Sequence, residues 1–307
     1  MNNLERFLQD DGRTMRNLLG VSRDPEAFET LQSRATATRL AELDENPDLV
    51  PMRFDRAHLA ALHRHVFQDV FEWAGHMRDE TVTIDDDRIG PVEHMAKPGG
   101  RSFDAASTLA AGFEQLDRMM DVTSARAMSH GAFADHAAGI FAHVNWMHPF
   151  REGNGRVQRA LLQQYATSAG HELEFTYVTQ ARIYEASARS SRDCHRHLRD
   201  LFEEISDPDC VARLHGPYQA FSKVDGFQQL GFSHARPGHP VKGVLRGSGA
   251  GEFVVQNEAT KDIVVAAIAD LPKNASRGGL VDFMPQVGIG RDKNLSRPTA
   301  RRSENAR

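Results

Sequence analysis

The sequence predicts a mainly α-helical protein that carries a short β-hairpin flap and ends in a small β-rich module. Three observations predict it. Apolar residues recur at three-and-four spacing in successive stretches between Asp24 and Ile205. One interval, Met77 to Gly100, changes to alternation and is broken by Pro91, Pro98, Gly99 and Gly100. Beyond about Gly216, seven glycines from Gly226 to Gly251 punctuate short apolar runs.

Residues 1–24 read as an N-terminal extension in which Leu4, Phe7, Leu8, Met15, Leu18 and Leu19 lie among charges, without the apolar core of a signal peptide. Asp24-Pro25 is an N-cap and first-turn pair, so a helix is expected to about Glu45 with Phe28, Leu31 and Leu43 on one side, ended by Asn46-Pro47. Asp55 caps a second helix through Leu59, Leu62, Val66, Phe67, Val70, Phe71 and Trp73, which Gly75 stops.

Thr81, Val82, Thr83 and Ile84 alternate like a strand, and Asp85-Asp86-Asp87 suits a solvated turn; its spacing lacks the closing Glu of a calcium loop. Helical spacing returns in Phe103 to Met120, in Phe133 to Met147, and from about Gly155 to Ala169 with Gly170 at its end. Thr179 caps a last helix reaching about Ile205, and Asp207-Pro208 closes the helical region. Val241 to Leu245, Phe253 to Val255, Ile263 to Ile268 and Leu280 to Phe283 read as strands of a small module, a partly open barrel being one form it can take. The expected divisions are 1–24, 25–208, a β-rich 216–290, and a basic, disordered 291–307.

Of 307 residues, 40% are apolar and 26% charged, which suits a globular protein with a substantial core. A formal charge of −5 argues against a wholesale nucleic-acid surface, although the seventeen residues from Arg291 hold six Lys/Arg against two Asp/Glu. Cys194 and Cys210 have no ligand-like spacing, so neither a disulfide framework nor structural zinc is expected, and a reducing cytoplasm fits. No run is apolar and long enough to span a bilayer, so no membrane partner is expected. Export by a route that uses no such signal stays open.

The chemistry concentrates in His148-Pro149-Phe150-Arg151-Glu152-Gly153-Asn154-Gly155-Arg156, with Arg159 three residues on. The stretch joins two helical patterns, so its loop runs into a helix N-terminus, where unpaired N–H groups and partial positive charge suit an anion. Gly153 and Gly155 let the backbone approach phosphate oxygens, and Arg156 and Arg159 share one helix face. Three features therefore converge on a polyphosphate. Glu152 among these donors repels an anion unless a cation intervenes, which points to Mg²⁺. His148 is the group suited to take a proton near neutral pH. Each part alone has a blander reading, a capping His or a solvated Arg pair; their joint spacing outweighs it.

His-Pro-Phe-x-(Asp/Glu)-Gly-Asn-Gly-Arg with a second Arg three further on resembles the signature of Fic domains, and His148 to Arg159 matches it without departure. The run from Leu62-His63 to Trp73-Ala74-Gly75-His76-Met77-Arg78 is similar to that family's helix ending in Trp-Ala-Gly-x-x-Arg, and the resemblance covers about residues 25–208. It implies a helical Fic fold that binds ATP and Mg²⁺ and transfers AMP to a Ser, Thr or Tyr hydroxyl of a target protein, as a toxin or an effector. By the same resemblance His148 is the general base, Glu152 holds Mg²⁺, and Gly153, Asn154 and Gly155 surround the α-phosphate. Arg156 and Arg159 bind the β- and γ-phosphates, Phe150 anchors the loop, and Thr81 to Ile84 form a flap that docks the target by strand addition.

Many members carry a restraining (Ser/Thr)-x-x-x-Glu-(Gly/Asn) helix. Glu45-Asn46 and Glu304-Asn305 come nearest, with Ala41 and Ala300 at the first position, and neither fits. Restraint by a separate small antitoxin-like protein, or none, is expected. Two other functions stay open: transfer of UMP, phosphate or phosphocholine from the same site, with Gly155 counting against phosphate, and an adaptor acting through the C-terminal module. Among the remaining candidates, His63 with His65 and His195 with His197 lie two apart and diverge on a helix, which argues against shared metal. Tyr177 and Tyr184 are expected to pack.

Overall fold

The computed structural model describes residues 3–96, 102–190 and 195–288. Pro98, Gly99, Gly100, Cys194 and the basic tail from Arg291 lie outside the described residues. The chain forms two compact units, Met1–Phe175 with Glu185–Ser206, and Thr176–Tyr184 with Asp207–Arg307.

Helix α1, Pro25–Glu45, starts where Asp24 accepts a hydrogen bond from the Ala27 N–H. Its buried stripe steps by four through Phe28, Gln32 and Thr36 and returns at Leu43. Leu31 falls off that stripe and is 38% exposed, contrary to expectation, while the polar Gln32 and Thr36 take inward positions. Helix α2, Arg56–Phe67, is capped by Asp55. It ends at Phe67, well before Gly75. Val70, Phe71 and Trp73 are buried all the same, in turns that fold back until the Gly75 N–H reaches His63 Nδ1 at 2.9 Å. That return needs glycine: φ at Gly75 is +88°, and a Cβ there would lie 2.9 Å from Arg64 Cβ.

Strands β1, Val82–Ile84, and β2, Asp87–Ile89, pair antiparallel, with Ile84 opposite Asp87. Asp85 and Asp86 form the two-residue turn, both at positive φ, a conformation Asp tolerates better than most residues. The acidic turn is not simply solvated, since Arg16 pairs with Asp85 and both Arg6 and Arg16 pair with Asp87.

Helix α3, Leu109–Met119, begins later than Phe103. The N–H groups of Phe103, Asp104 and Ala106 donate instead to Met95, Trp146 and Glu93, which holds the chain out of a helix. A short α4, Val122–Arg126, was not foreseen; Asp121 caps it. Helices α5, His130–Met147, and α6, Asn154–Ala169, follow, the latter closed by Gly170 in the left-handed region.

The single helix expected from Thr179 to Ile205 is two, α7, Gln180–Arg189, and α8, Arg196–Ile205. After α7 the Ser190 hydroxyl donates to the Ala186 carbonyl at 2.8 Å, a local bond that competes with continued helix. Asp207-Pro208 opens a helix rather than closing one: Asp207 accepts from the N–H groups of Asp209 and Cys210 at the start of α9, Pro208–Phe221. An Asp-Pro pair reads both ways, and here the capping reading wins.

The second unit holds an open five-stranded sheet in the order β3-β6-β5-β4-β7, with β3, Phe232–His234, and β7, Leu280–Phe283, at its edges. Strand β3 runs parallel to β6, Ile263–Ala267; β5, Glu252–Asn257, and β4, Val241–Ser248, complete it antiparallel. Phe253, Val255 and Ala266 face one apolar cluster, and Val254, Ile263 and Val265 the other, so β5 and β6 are covered on both faces.

Candidate functional site

The site is built at the junction of α5 and α6. Helix α5 ends with His148 at φ +45° and ψ +61°, a left-handed turn unusual for a side chain of this size. Arg78 maintains it. Its fully buried guanidinium donates to the His148 carbonyl at 2.8 Å and the Met147 carbonyl at 3.0 Å, and also to the carbonyls of Val92, Glu93 and Asp104. The Phe103 ring stacks on the imidazole at 3.6 Å between centroids.

Phe150 is fully buried. Asn154 closes it: its Oδ1 accepts from the Phe150 N–H at 2.9 Å, and its Nδ2 donates to the Phe150 carbonyl at 2.8 Å. The Asn154 side chain is therefore spent on the loop. Gly153 is the N-cap of α6 at φ +84°, and no side chain caps that helix. A Cβ on Gly153 would lie 2.3 Å from two Phe67 ring carbons, so the loop lies flat on an aromatic floor that only glycine admits. Open N–H groups at the start of a 16-residue helix are suited to an anion.

The arginines lie beside it. Arg156 donates to the Thr36 hydroxyl at 2.9 Å, sits 5.0 Å above the Phe67 ring, and approaches Glu152 at 3.7 Å. Burial holds both guanidinium pKa values below the usual range, and at Arg159 the neighbouring Arg156 adds to it. Two half-buried positive groups side by side form a field suited to a polyanion. Among the described residues no carboxylate pairs with Arg159. The Glu152 side chain is 43% exposed. Among the described residues no group of three or more His, Cys, Asp or Glu converges to hold a metal. A lone accessible carboxylate at an anion site fits Mg²⁺, which keeps waters and takes its other ligands from phosphate.

Four residues to which the sequence assigns no role support the site. His63, set aside as a poor metal ligand, is fully buried, and its Nε2 donates to the Glu152 carbonyl at 3.1 Å while its Nδ1 accepts from Gly75. Its ring stacks on Phe150 at 4.0 Å and on Phe67 at 4.7 Å. Burial first of all lowers its pKa to about 3, so it is neutral with a fixed tautomer. Arg151 donates to the Met77 carbonyl at 2.9 Å and the Glu80 carbonyl at 2.8 Å; burial lowers it to about 10, and it stays charged at neutral pH. Arg78 and Thr36 are the others. A charged or polar residue in an otherwise buried run was the available sign.

Within the hairpin, Val82 and Ile84 point inward and Thr81 and Thr83 are exposed. His136 and His143 are half-buried, bonded to Tyr165 and the Gly112 carbonyl. Tyr177 packs against Tyr218, but Tyr184 is 53% exposed, against expectation. No helix among the described residues is long and apolar enough to cross a membrane.

The model of the Fic/DOC family matches residues 53–166. The chain is 30% identical over 254 residues to a protein adenylyltransferase of Bartonella henselae, an alignment covering 81% of this chain and 46% of that protein. It is 35% identical over 170 residues to a probable protein adenylyltransferase of Sinorhizobium fredii, covering 52% of this chain and 82% of that one. The chain thus spans about half the length of the first relative and most of the second. Among solved structures it resembles the type IV secretion system effector protein BepA, with a TM-score of 0.83 at 26% identity over 92% of this chain and 97% of that one. It also resembles BepC of Bartonella tribocorum with bound AMPPNP, with a TM-score of 0.61 at 27% identity over 66% and 96% of the two chains.

Proposed function

The chain belongs to the Fic/DOC family, and from that premise we propose that its site transfers AMP from ATP to a hydroxyl side chain of a target protein, releasing pyrophosphate. It is a protein adenylyltransferase of the toxin and effector type. One observation carries this reading: an uncapped helix N-terminus, two half-buried arginines in the first turns of that helix and a histidine held in a left-handed turn lie at one helix junction. A structure of BepC holds AMPPNP, which supports ATP as the donor.

In this reading the ATP α-phosphate lies on the backbone N–H groups at Gly153, Asn154 and Gly155, and the β- and γ-phosphates lie on Arg156 and Arg159. His148 takes the proton of the target hydroxyl as its oxygen forms a bond to the α-phosphorus. The bond from that phosphorus to the bridging oxygen breaks, and pyrophosphate leaves with the pair of electrons. Glu152 would hold Mg²⁺, and the ion would supply charge that offsets the phosphate oxygens. The arginines and helix N-terminus are already oriented, so they stabilise the developing charge without reorganising. The target enters as an extended segment against the hairpin at Thr81 to Ile84.

His148→Ala abolishes transfer of label from ATP labelled at its α-phosphorus; retained transfer overturns the mechanism. Arg159 lacks a carboxylate partner among the described residues, which supports restraint by a separate small protein or none. The purified chain accordingly labels itself when given ATP and Mg²⁺, and a chain inert on its own contradicts this.

A further inference from the structure

The N-terminal segment Asn3–Val21 plays no part in the reaction above, yet it touches both the hairpin and the catalytic loop. Its own shape is fixed. A 3₁₀ turn, Asn3–Phe7, leads into a tight loop in which the Gln9 N–H donates to Thr14 and the Arg16 N–H donates to Phe7, each at 2.8 Å. Asp11 accepts from the N–H groups of Arg13 and Thr14 and from the buried Thr14 hydroxyl. This loop places Arg6 and Arg16 together, with Arg16 donating to the Arg6 carbonyl at 3.3 Å.

The two arginines close on the hairpin tip. Arg16 bonds Asp85 at 2.9 Å, the Ile84 carbonyl at 2.8 Å and Asp87 at 3.3 Å. Arg6 bonds Asp87, and the Arg88 carbonyl at 3.2 Å; Asn3 bonds the Pro91 carbonyl at 2.8 Å. Both strands and both ends of the turn are thereby held by one segment. At the other end, fully buried Phe7 lies edge-on to Trp73 at 5.8 Å and 4.4 Å from the Arg151 guanidinium. Arg151 precedes Glu152 and bonds the Met77 and Glu80 carbonyls, which lead into β1.

Two strands of three residues each do not hold their own position. Whatever fixes them sets the distance between a docked target backbone and His148, and small misplacements of a reacting group cost rate heavily. We infer that Asn3–Val21 is a strap that presets the hairpin for the protein substrate, with Arg6 and Arg16 as positioning residues for that substrate and not for ATP. An isolated exposed ion pair does not carry such a role. Arg16, however, has a side chain only 19% exposed and bonds two carboxylates and a carbonyl. The functional half of this inference rests on the adenylyltransferase reading; the structural half does not.

The test uses the full chain, with Arg6→Ala/Arg16→Ala as the main variant and Arg16→Lys, which keeps charge but loses the fork, as the milder one. Amide exchange over residues 82–89 is expected to quicken by about tenfold or more in the double variant, and less in Arg16→Lys. Label transfer from α-labelled ATP is measured with the full-length His148→Ala chain as acceptor, varying acceptor and ATP separately. The KM for acceptor is expected to rise about tenfold while the KM for ATP holds within about twofold. Unchanged exchange at 82–89, or a rise in both KM values together, overturns the strap. If the unsubstituted chain transfers no label, the adenylyltransferase reading fails instead, and the exchange data still decide whether the segment holds the hairpin.

Discussion

His63 shows how one residue outside the motif supports two parts of it. Its neutral ring ties the Glu152 carbonyl to the Gly75 N–H while stacking on Phe150. Replacing it by Ala removes an aromatic-sized volume and leaves two buried backbone groups unpaired, an expected loss of about 3–5 kcal/mol read from urea denaturation. The buried ring also has a pH consequence. Its pKa is about 3 when folded against 6.5 as the reference. Between those values the unfolded chain binds a proton that the folded chain does not, so stability is full above about pH 6.5 and falls as the pH drops toward 3. Burial depresses His58 and His136 in the same direction. Urea midpoints are expected to fall between pH 7.5 and 5, and His63→Gln to lessen that slope by up to about 1.4 kcal/mol per pH unit. An equal slope in the variant excludes His63 as a source. That His148, Phe150, Glu152 and Arg159 lie close together was legible because they fall within twelve positions, in one short loop and the first turns of α6. The Arg78, Arg151 and Thr36 contacts were not: the first two reach carbonyls about seventy positions away, and Thr36 lies 120 positions from Arg156. No local spacing encodes such a meeting.

At the scale of elements, the junction of α2 with α6 fixes the loop. The Gly153 backbone lies against the Phe67 ring, the last residue of α2. Gly153→Ala meets both the positive φ and that ring, and is expected to cost about 2–4 kcal/mol. In a Phe67→Leu background the cost shrinks by about 1–3 kcal/mol, since only the overpacking part is relieved. A double-mutant cycle of urea midpoints checks it, and a cost that does not change with Phe67 places the strain in φ alone. Helix starts were the most readable features, because Asp24 and Asp55 sit where caps belong. Ends and breaks were harder. Trp73 is as buried as a helical residue but reaches the core through a turn, so burial period alone overran α2. Asp207-Pro208 carries one composition with two meanings, and β3 is only three residues long and pairs in parallel with β6, far along the chain.

For the whole molecule, a nucleotide that binds only the folded first unit stabilises it by mass action. ATP with Mg²⁺ at about a hundred times its Kd adds about 2.7 kcal/mol, and Arg159→Ala is expected to remove most of that gain in calorimetry. An undiminished gain in the variant would place the nucleotide elsewhere. Heat capacity alone mixes the unfolding of the two units. Intrinsic fluorescence does not. Both tryptophans of the chain, Trp73 and Trp146, belong to the first unit. Trp73 stacks on Phe71 at 4.3 Å, faces the edge of Phe7 and is 1% exposed. Its emission is therefore a native optical probe of the strap: lifting Phe7 away admits water to the indole and shifts its light to the red, with no dye attached.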